Sequence, residues 1–468
     1  ASELVTVMLE QNGFAPGDIV SGLFTLTDDL NAAFPAEGAR RAGLSESALL
    51  CAQEVPVPGS MPRCIRAMLW ADCPREQGIR HAYLREAARL RPDWTEPDPV
   101  RRVTARPALS RLTPYVPGKP IAETAREFGL DPTAIVKLAS NENPLGPSPE
   151  AVQAAQAACA GVHLYPDGAA QDLLGALARR LQLDLDQLIV GNGSDELIKL
   201  LGEAYLRPGD EVVYAEPSFV EYAYACRLMD GKERPVPLLD GVHDLEAMLA
   251  AITPRTRLVF VCNPNNTTGS YVGRRSLGDF MARVPEHVIV VFDEAYVEYV
   301  GAGDFPETLA WVKAGRNAVV LRTFSKIYGL AGLRVGYGAA PPGIIADLRR
   351  VKEPFNVNLV AQAAALAALA DEAHLVRSRQ TNDAGKVQLA KGLAALGMRV
   401  WPSEANFLWV DTGRDGRALY ERLLKAGVIV RTGDVFGSPS FLRITIGRPE
   451  QNEKLLAEMG KIVAVERA

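Results

Sequence analysis

From about residue 112 onward, short apolar runs alternate with helix-length stretches: QLIVGNG, EVVYAEP, RLVFVCNPN, HVIVVFDEAY and NAVVLRTFSK. The runs are rich in Val and Ile, and several close on Gly, Asn, Asp or Ser. This alternation predicts βαβ units and a mainly parallel sheet buried on both faces, hence an α/β fold. A later block, ANFLWV, GVIVRTG and FLRITIG, predicts a small α+β domain. Residues 1–94 mix helical and strand patterns, and ASELVTVMLEQNG reads as an amphipathic helix, not a signal peptide. Between the two regions, Pro92–Pro107 (PDWTEPDPVRRVTARP) has few apolar residues and four prolines. That is the composition of an extended linker, and it puts a boundary near residue 100.

Composition narrows the function without deciding it. The 468 residues suit several domains, and 48% hydrophobic with 23% charged residues is ordinary for a globular chain. A formal charge of −5 gives no sign of a nucleic-acid footprint or a cationic membrane surface. A dianionic substrate therefore needs local basic residues. No apolar run reaches the roughly 18 residues of a membrane span. Cys51, Cys64, Cys73, Cys159, Cys226 and Cys262 form no C-x-x-C pair and have no zinc-type His spacing. They read as free thiols in a reducing, cytoplasmic compartment, with no metal site. A chain that opens on Ala1 without Met reads as a trimmed form of a longer product.

In open α/β sheets, ligands bind outside the carboxyl ends of the strands, so the polar residues closing the runs are candidates by position. In TFSKIYGLAGLRVGYG, Lys326 follows Thr323 and Ser325, and Arg334 lies further on. A lysine there can attack an aldehyde carbon, while hydroxyls and a guanidinium hold a phosphate. Asp293 ends VVFD, where a carboxylate can pair with a pyridine nitrogen and keep it protonated. Tyr296 and, in VCNPNNTTG, Asn266 can reach a ring hydroxyl. Gly193, Ser194 and Asp195 link a strand to a helix, whose first N–H groups bind phosphate. Each feature alone is ordinary: Ser194 reads equally as an N-cap, Asp293 as a helix cap and Asn266 as turn chemistry.

Together, and in this order, the four fragments resemble the fold-type I aminotransferases, most closely the histidinol-phosphate aminotransferase family. The resemblance runs from about Leu112 to the C-terminus and includes LTPYVPGKPI, KLASNENPLGPSP, ANFLWV and FLRITIGRPEQN. It implies a pyridoxal 5'-phosphate (PLP) enzyme with a large domain (about 150–360) carrying a mainly parallel seven-stranded sheet. A small α+β domain (about 361–468) would join an N-terminal arm (112–149). Lys326 would be the Schiff-base lysine and proton shuttle, with Asp293 on the ring nitrogen and Tyr296 and Asn266 on the ring hydroxyl. Ser194, Asp195, Ser325 and Arg334 would surround the phosphate, and Phe219 would stack on the ring. Tyr165 matches a tyrosine that reaches the partner subunit's cofactor phosphate, Arg443 the arginine clamping the substrate carboxylate, and Asn141 and Asn406 substrate-side contacts. Thr267 stands where the family usually has proline and is expected to loosen that turn while leaving Asn266 in place.

The first 94 residues contain DLNAAFPAEGAR, LLCAQEVPVPGSMPRCIRAML and IRHAYLREAARLRPDW. These resemble the small trimeric AroH-type chorismate mutases. Their rearrangement needs no nucleophile, only cations and donors that hold a dicarboxylate and stabilise charge on a breaking ether oxygen. The resemblance implies Arg66 at that oxygen, Glu54 and Cys51 on the substrate hydroxyl, and Phe34, Arg40, Tyr83 and Arg91 around the pocket across the trimer. Glu37 stands where the family often has lysine. The family opens with a strand bearing a further arginine, and the sequence starts after it, so a mutase-like domain (1–94) short of one strand and one cation is expected. Residues 95–111 would link it to the aminotransferase (112–468).

The implied function is transamination of histidinol phosphate or an aromatic 2-oxo acid with glutamate/2-oxoglutarate, fused to conversion of chorismate to prephenate. The alternative is an aminotransferase of prephenate or phenylpyruvate whose N-terminal domain binds a metabolite without catalysis. A PLP-sensing transcription regulator is disfavoured by the acidic balance and the lack of a basic recognition helix. A homodimer through the aminotransferase, combined with a trimeric mutase domain, would close as a hexamer.

Overall fold

The computed structural model describes residues 1–72, 79–91, 105–112, 114 and 118–467. Cys73, most of the linker, and Thr113, Tyr115, Val116 and Pro117 of LTPYVPGKPI lie outside the described residues. The chain divides into two compact units, Ala1–Ala105 and Arg106–Ala468.

In the first unit the predicted helix forms over Ser2–Asn12 and stops at Gly13, whose φ of 66° a side chain would disfavour. Three strands follow: β1 (Ile19–Leu26), β2 (Ala48–Gln53) and β3 (Ile65–Ala71), in the order β2-β1-β3. β1 pairs parallel with β2 and antiparallel with β3. Strand alternation splits the sheet into two faces. One packs Phe24 with Val5, Leu9, Ala39 and Leu44 under the helices. The other leaves Leu50, Met68 and Trp70 exposed.

The first part of the second unit carries a helix, Ile121–Phe128, a short strand, β4 (Val136–Lys137), and a helix Pro149–Ala158 capped by the Ser148 hydroxyl. Its main sheet comprises β5 (Leu188–Gly191), β6 (Glu211–Glu216), β7 (Lys232–Pro237), β8 (Thr256–Cys262), β9 (Ile289–Asp293), β10 (Ala318–Thr323) and β11 (Gly336–Ala339). These seven strands run in the order β5-β11-β10-β9-β8-β6-β7. Only β11 runs against its neighbours β10 and β5, so the expected mainly parallel α/β sheet is present. Alternate residues serve different cores: Val290, Phe292 and Val320 pack on one face, Ile289, Val291 and Val319 on the other. That double burial is why the runs read as continuous Val/Ile.

The C-terminal block forms β12 (Arg399–Val400), β13 (Phe407–Asp411), β14 (Val428–Ile429), β15 (Arg431–Thr432) and β16 (Phe441–Thr445). Four of these make an antiparallel sheet ordered β12-β13-β16-β15. The run GVIVRTG is divided: β14 pairs parallel with β4, whereas β15 pairs with β16. No single described helix is long and apolar enough to cross a membrane.

Candidate active site

The carboxyl ends of β8, β9 and β10 and the β5–helix turn meet around a cavity of about 220 Å³. Asp293 stands in its wall, 2% exposed. The Tyr222 hydroxyl donates to Asp293 Oδ2 at 2.7 Å, and the Ala295 N–H to Oδ1 at 3.2 Å. Burial pushes the Asp293 carboxyl up to about 6, with the Tyr222 bond opposing it. Lys326 lines the same cavity, its Nζ donating to the Ser140 carbonyl at 3.3 Å. Burial, then the positive charge of Arg443, brings the Lys326 amine down to about 8.

One end of the cavity is built for an anion. The helix Gly193–Tyr205 starts there, and the first N–H groups of a helix have no partner within it. Gly193 has φ 74°, and a Cβ on Gly336 would lie 2.7 Å from the Gly193 backbone and 2.8 Å from Ser194 N. Glycine is therefore what lets β11 close against this turn. Arg334 donates to Asp195 Oδ2 at 2.7 Å and to Ser325 Oγ at 3.4 Å. Ser194, Asp195, Ser325 and Arg334 all line the cavity, as do Phe219 and Glu221.

A second cavity, of about 90 Å³, shares Phe219, Asn266, Tyr296 and Lys326 with the first and adds Asn141, Arg431, Phe436 and Arg443. Arg443 is 7% exposed. It donates through Nη1 to Asn266 Oδ1 at 2.5 Å and through Nη2 to the Ala139 carbonyl at 2.9 Å. Its guanidinium lies 5.4 Å from the Phe407 ring centre and 5.6 Å from that of Phe436. Asn141 donates from Nδ2 to the Tyr296 hydroxyl at 3.0 Å. Thr445 Oγ1 accepts from the Asn141 N–H at 2.9 Å, and Asn406 Nδ2 donates to the Asn141 carbonyl at 2.9 Å. The segment Leu138–Asn141 thus touches Lys326, Arg443 and Tyr296 together.

In the first unit, Arg66 stands opposite Thr25 in the β1–β3 register and lines a cavity of about 680 Å³ with Tyr83, Arg91, Leu23 and Met8. Glu54 accepts from Arg66 Nη1 and, at 2.7 Å, from the Thr25 hydroxyl. The Arg66 bond, then the Thr25 bond, holds the Glu54 carboxyl below its usual range. The Arg66 side chain is 50% exposed. Phe34, 71% exposed, and the exposed Arg40 do not line this cavity. Cys51 packs on the helix-covered face, in register with Phe24 and away from Arg66.

Comparison with known proteins places both units. The profile of "aminotransferase class I and II" matches residues 133–459. The chain belongs to the class I and II aminotransferases. The profile of "chorismate mutase type I" matches residues 1–94, so the aminotransferase is fused to a mutase-type domain. A histidinol-phosphate aminotransferase of Moorella thermoacetica is 55% identical over 374 residues, covering 80% of this chain and 96% of that protein. Histidinol-phosphate aminotransferase 2 of Pseudomonas aeruginosa is 49% identical, over 77% of this chain and 98% of that protein. Among solved structures, a histidinol-phosphate aminotransferase from Sinorhizobium meliloti in complex with pyridoxal-5'-phosphate aligns at TM-score 0.73 and 28% identity, over 78% of this chain and 98% of that one. A Thermus thermophilus aspartate aminotransferase mutant aligns at TM-score 0.68 and 27% identity, over 77% and 99%.

Most aminotransferase residues singled out in the sequence come together, with three differences of detail. Ser194 lies inside the first helical turn and Asn192 is the N-cap. Asn406 lines neither cavity and reaches the site through the Asn141 backbone. Tyr165 is 83% exposed and stacks on Phe355 with ring centres 4.8 Å apart, away from the cavity of its own chain. The turn at Thr267 is not loosened: Gly269 N–H donates to the Asn265 carbonyl and Asn265 N–H to the Ser270 carbonyl, each at 2.7 Å. Thr267 is fully buried, its hydroxyl without a hydrogen-bond partner among the described residues. Sequence reasoning missed Tyr222, Glu221 and Arg431 of the aminotransferase. Tyr222 lies three residues after Phe219, and Arg431 lies in the quoted GVIVRTG, but neither spacing nor residue type marks them.

Proposed function

We propose that the aminotransferase exchanges an amino group between histidinol phosphate and the glutamate/2-oxoglutarate pair. The observation that carries this is the pair Arg431 and Arg443, opposite each other in the β15–β16 register and both facing the cavity that shares Lys326. Two adjacent guanidinium groups suit a phosphate in one half-reaction and a dicarboxylate in the other. The rings of Phe219, Tyr296 and Phe436 in the same walls suit an imidazole. Aromatic amino acids and their 2-oxo acids, prephenate included, are the alternative acceptors.

The residues present fit PLP. Asp293 would face the ring nitrogen, Tyr296 and Asn266 the ring hydroxyl, and Phe219 the ring plane. Ser194, Asp195, Ser325 and Arg334, with the N-terminal end of the helix Gly193–Tyr205, would hold the phosphate. When bound, the cofactor supplies an electron sink for the carbanion at substrate Cα. Asp293, ionised at neutral pH and fixed by Tyr222, keeps a proton on the ring nitrogen. Lys326 Nζ takes the proton from substrate Cα; an amine near 8 is partly neutral at physiological pH and able to do so. Arg443 forks the carboxylate, its plane set by Asn266 and the Ala139 carbonyl. A homodimer would carry the outward-facing Tyr165 to the partner's phosphate end.

The mutase-type domain would convert chorismate to prephenate with Arg66 at the ether oxygen, and trimeric contact would bring Phe34 and Arg40 to the pocket. The test is a half-reaction spectrum with histidinol phosphate, glutamate, phenylalanine and tyrosine in turn. Histidinol phosphate and glutamate are expected to discharge the visible band. Discharge by phenylalanine or tyrosine but not histidinol phosphate moves the function to aromatic transamination. Chorismate that stabilises the chain without being turned over makes the N-terminal domain a binding module.

A further inference from the structure

Behind the cofactor cavity lies a group of buried charges that the chemistry above does not use. Glu294 and Arg322 are the chain neighbours of Asp293 and Thr323, which line the cavity. Arg322 donates from Nε to Glu294 Oε2 at 2.9 Å, and its Nη2 lies 2.8 Å from the same oxygen. The Thr308 hydroxyl donates to Glu294 Oε1 at 2.5 Å. The Glu294 side chain is 1% exposed and that of Arg322 16%. Glu298 faces Arg322 as well, and its Oε2 has no hydrogen-bond partner among the described residues. Burial pushes the Glu298 carboxyl up to about 7, with Arg322 opposing and Glu294 adding to the rise. Tyr328, just past Lys326, feels Glu298 and Arg322, and so does Tyr337 of β11. Arg180, bonded to Glu372 at 3.1 Å, closes the group from the helix Gln171–Leu181.

A buried ion pair is seldom more stabilising than apolar residues of the same size, so stability alone does not account for this one. Its position does. The last register pair of β9 and β10 is Asp293 with Leu321, followed by the bond from Glu294 N–H to the Leu321 carbonyl at 2.8 Å. Beyond that point the two strands part, one leading toward Tyr296 and the other toward Lys326. The Arg322 fork on Glu294 is the next cross-strand tie. We infer that Glu294 and Arg322 are positioning residues for transamination, fixing Lys326 relative to Asp293 and Tyr296 across the cofactor cavity. This rests on the PLP reading above, and the wild-type control separates the two.

The test uses Arg322→Lys, which keeps the charge but loses the fork, and Glu294→Gln, which keeps the shape but loses the charge. Three quantities are read: the pH midpoint of the visible band in the loaded enzyme, the half-reaction rate with glutamate, and the pH dependence of Lys326 labelling by an amine reagent in the cofactor-free chain, mapped by peptide mass. Both variants are expected to load cofactor and to shift the midpoint by about one pH unit. The half-reaction should slow roughly 100-fold, as for a displacement of about 1 Å, with the saturating glutamate concentration little changed. The labelling midpoint should move with the band. Folded variants with wild-type midpoints and rate, whatever their melting temperature, overturn the inference. Where a single variant does not fold, Glu294→Met with Arg322→Met leaves neither partner as an unpaired charge, and the same shift or its absence decides. A wild-type chain that takes up no cofactor and reacts with no donor overturns the function itself, and this inference with it.

Discussion

The two units set out their charged residues in opposite ways. In the aminotransferase, Asp293, Lys326 and Arg443 sit in a cleft where each has fixed partners and two have displaced titrations. In the mutase-type domain, Arg66 lies half exposed on an open strand face, and Glu54 is its charged partner. The lesson is where a site's rigidity comes from. The aminotransferase cavity is enclosed by strand ends and loops of one chain. The mutase-type cavity is three times as large by volume, and Phe34 and Arg40 lie off it. The proposed trimer would supply Phe34 and Arg40 to that cavity from neighbouring copies.

The largest effect that sharpens this contrast is expected at Lys326. Lys326→Ala should abolish the visible band of the lysine-bound cofactor and slow transamination by about 10⁴-fold while leaving any chorismate turnover intact. Near-normal turnover, followed as 2-oxoglutarate formation, would refute the assignment. Next comes Arg443→Ala, which should raise the KM for glutamate roughly 100-fold, as loss of charged hydrogen bonds to a carboxylate does.

Asp293→Asn tests the burial itself. The Asp293 carboxyl is raised from an ordinary value near 3.8 to about 6 in the folded chain. The folded state therefore holds this proton more tightly, and its ionisation above that point costs up to about 3 kcal/mol of stability. The cost is absent below the unfolded value, grows as pH rises between the two, and is complete above about 6. Cofactor-free Asp293→Asn should thus melt higher than wild type at pH 7 to 8, with the gap closing near pH 4, while transamination is lost. An unchanged or lower melting temperature at neutral pH would break the argument. The smallest effect is expected from Arg66→Ala, at or below about 1 kcal/mol in denaturant unfolding, because a half-exposed ion pair is screened by water. A loss of several kcal/mol would mean that the open face is covered in solution.

Much of the aminotransferase site was legible because a parallel sheet places its ligand at strand ends. Residues closing apolar runs, Asp293 and Asn266 among them, could be picked out before any contact was known. Tyr222 could not, because its bond to Asp293 joins a helix to a strand far away in sequence. The same holds for Arg431, which becomes a neighbour of Arg443 only when β15 pairs with β16. Asn406 lay in a recognisable fragment, yet only packing shows that it supports Asn141 from behind.

The amino-acid sequence alone determined the strand periodicity, the order of the catalytic fragments and the division into two units, because these are local patterns and short motifs. Tertiary structure alone decided the partners: which carbonyl holds Lys326, which hydroxyl fixes Asp293, and which guanidinium ties β9 to β10. Those depend on distances between segments remote along the chain, and burial then sets the charge each group carries. No residue's type or neighbours in sequence contain that information.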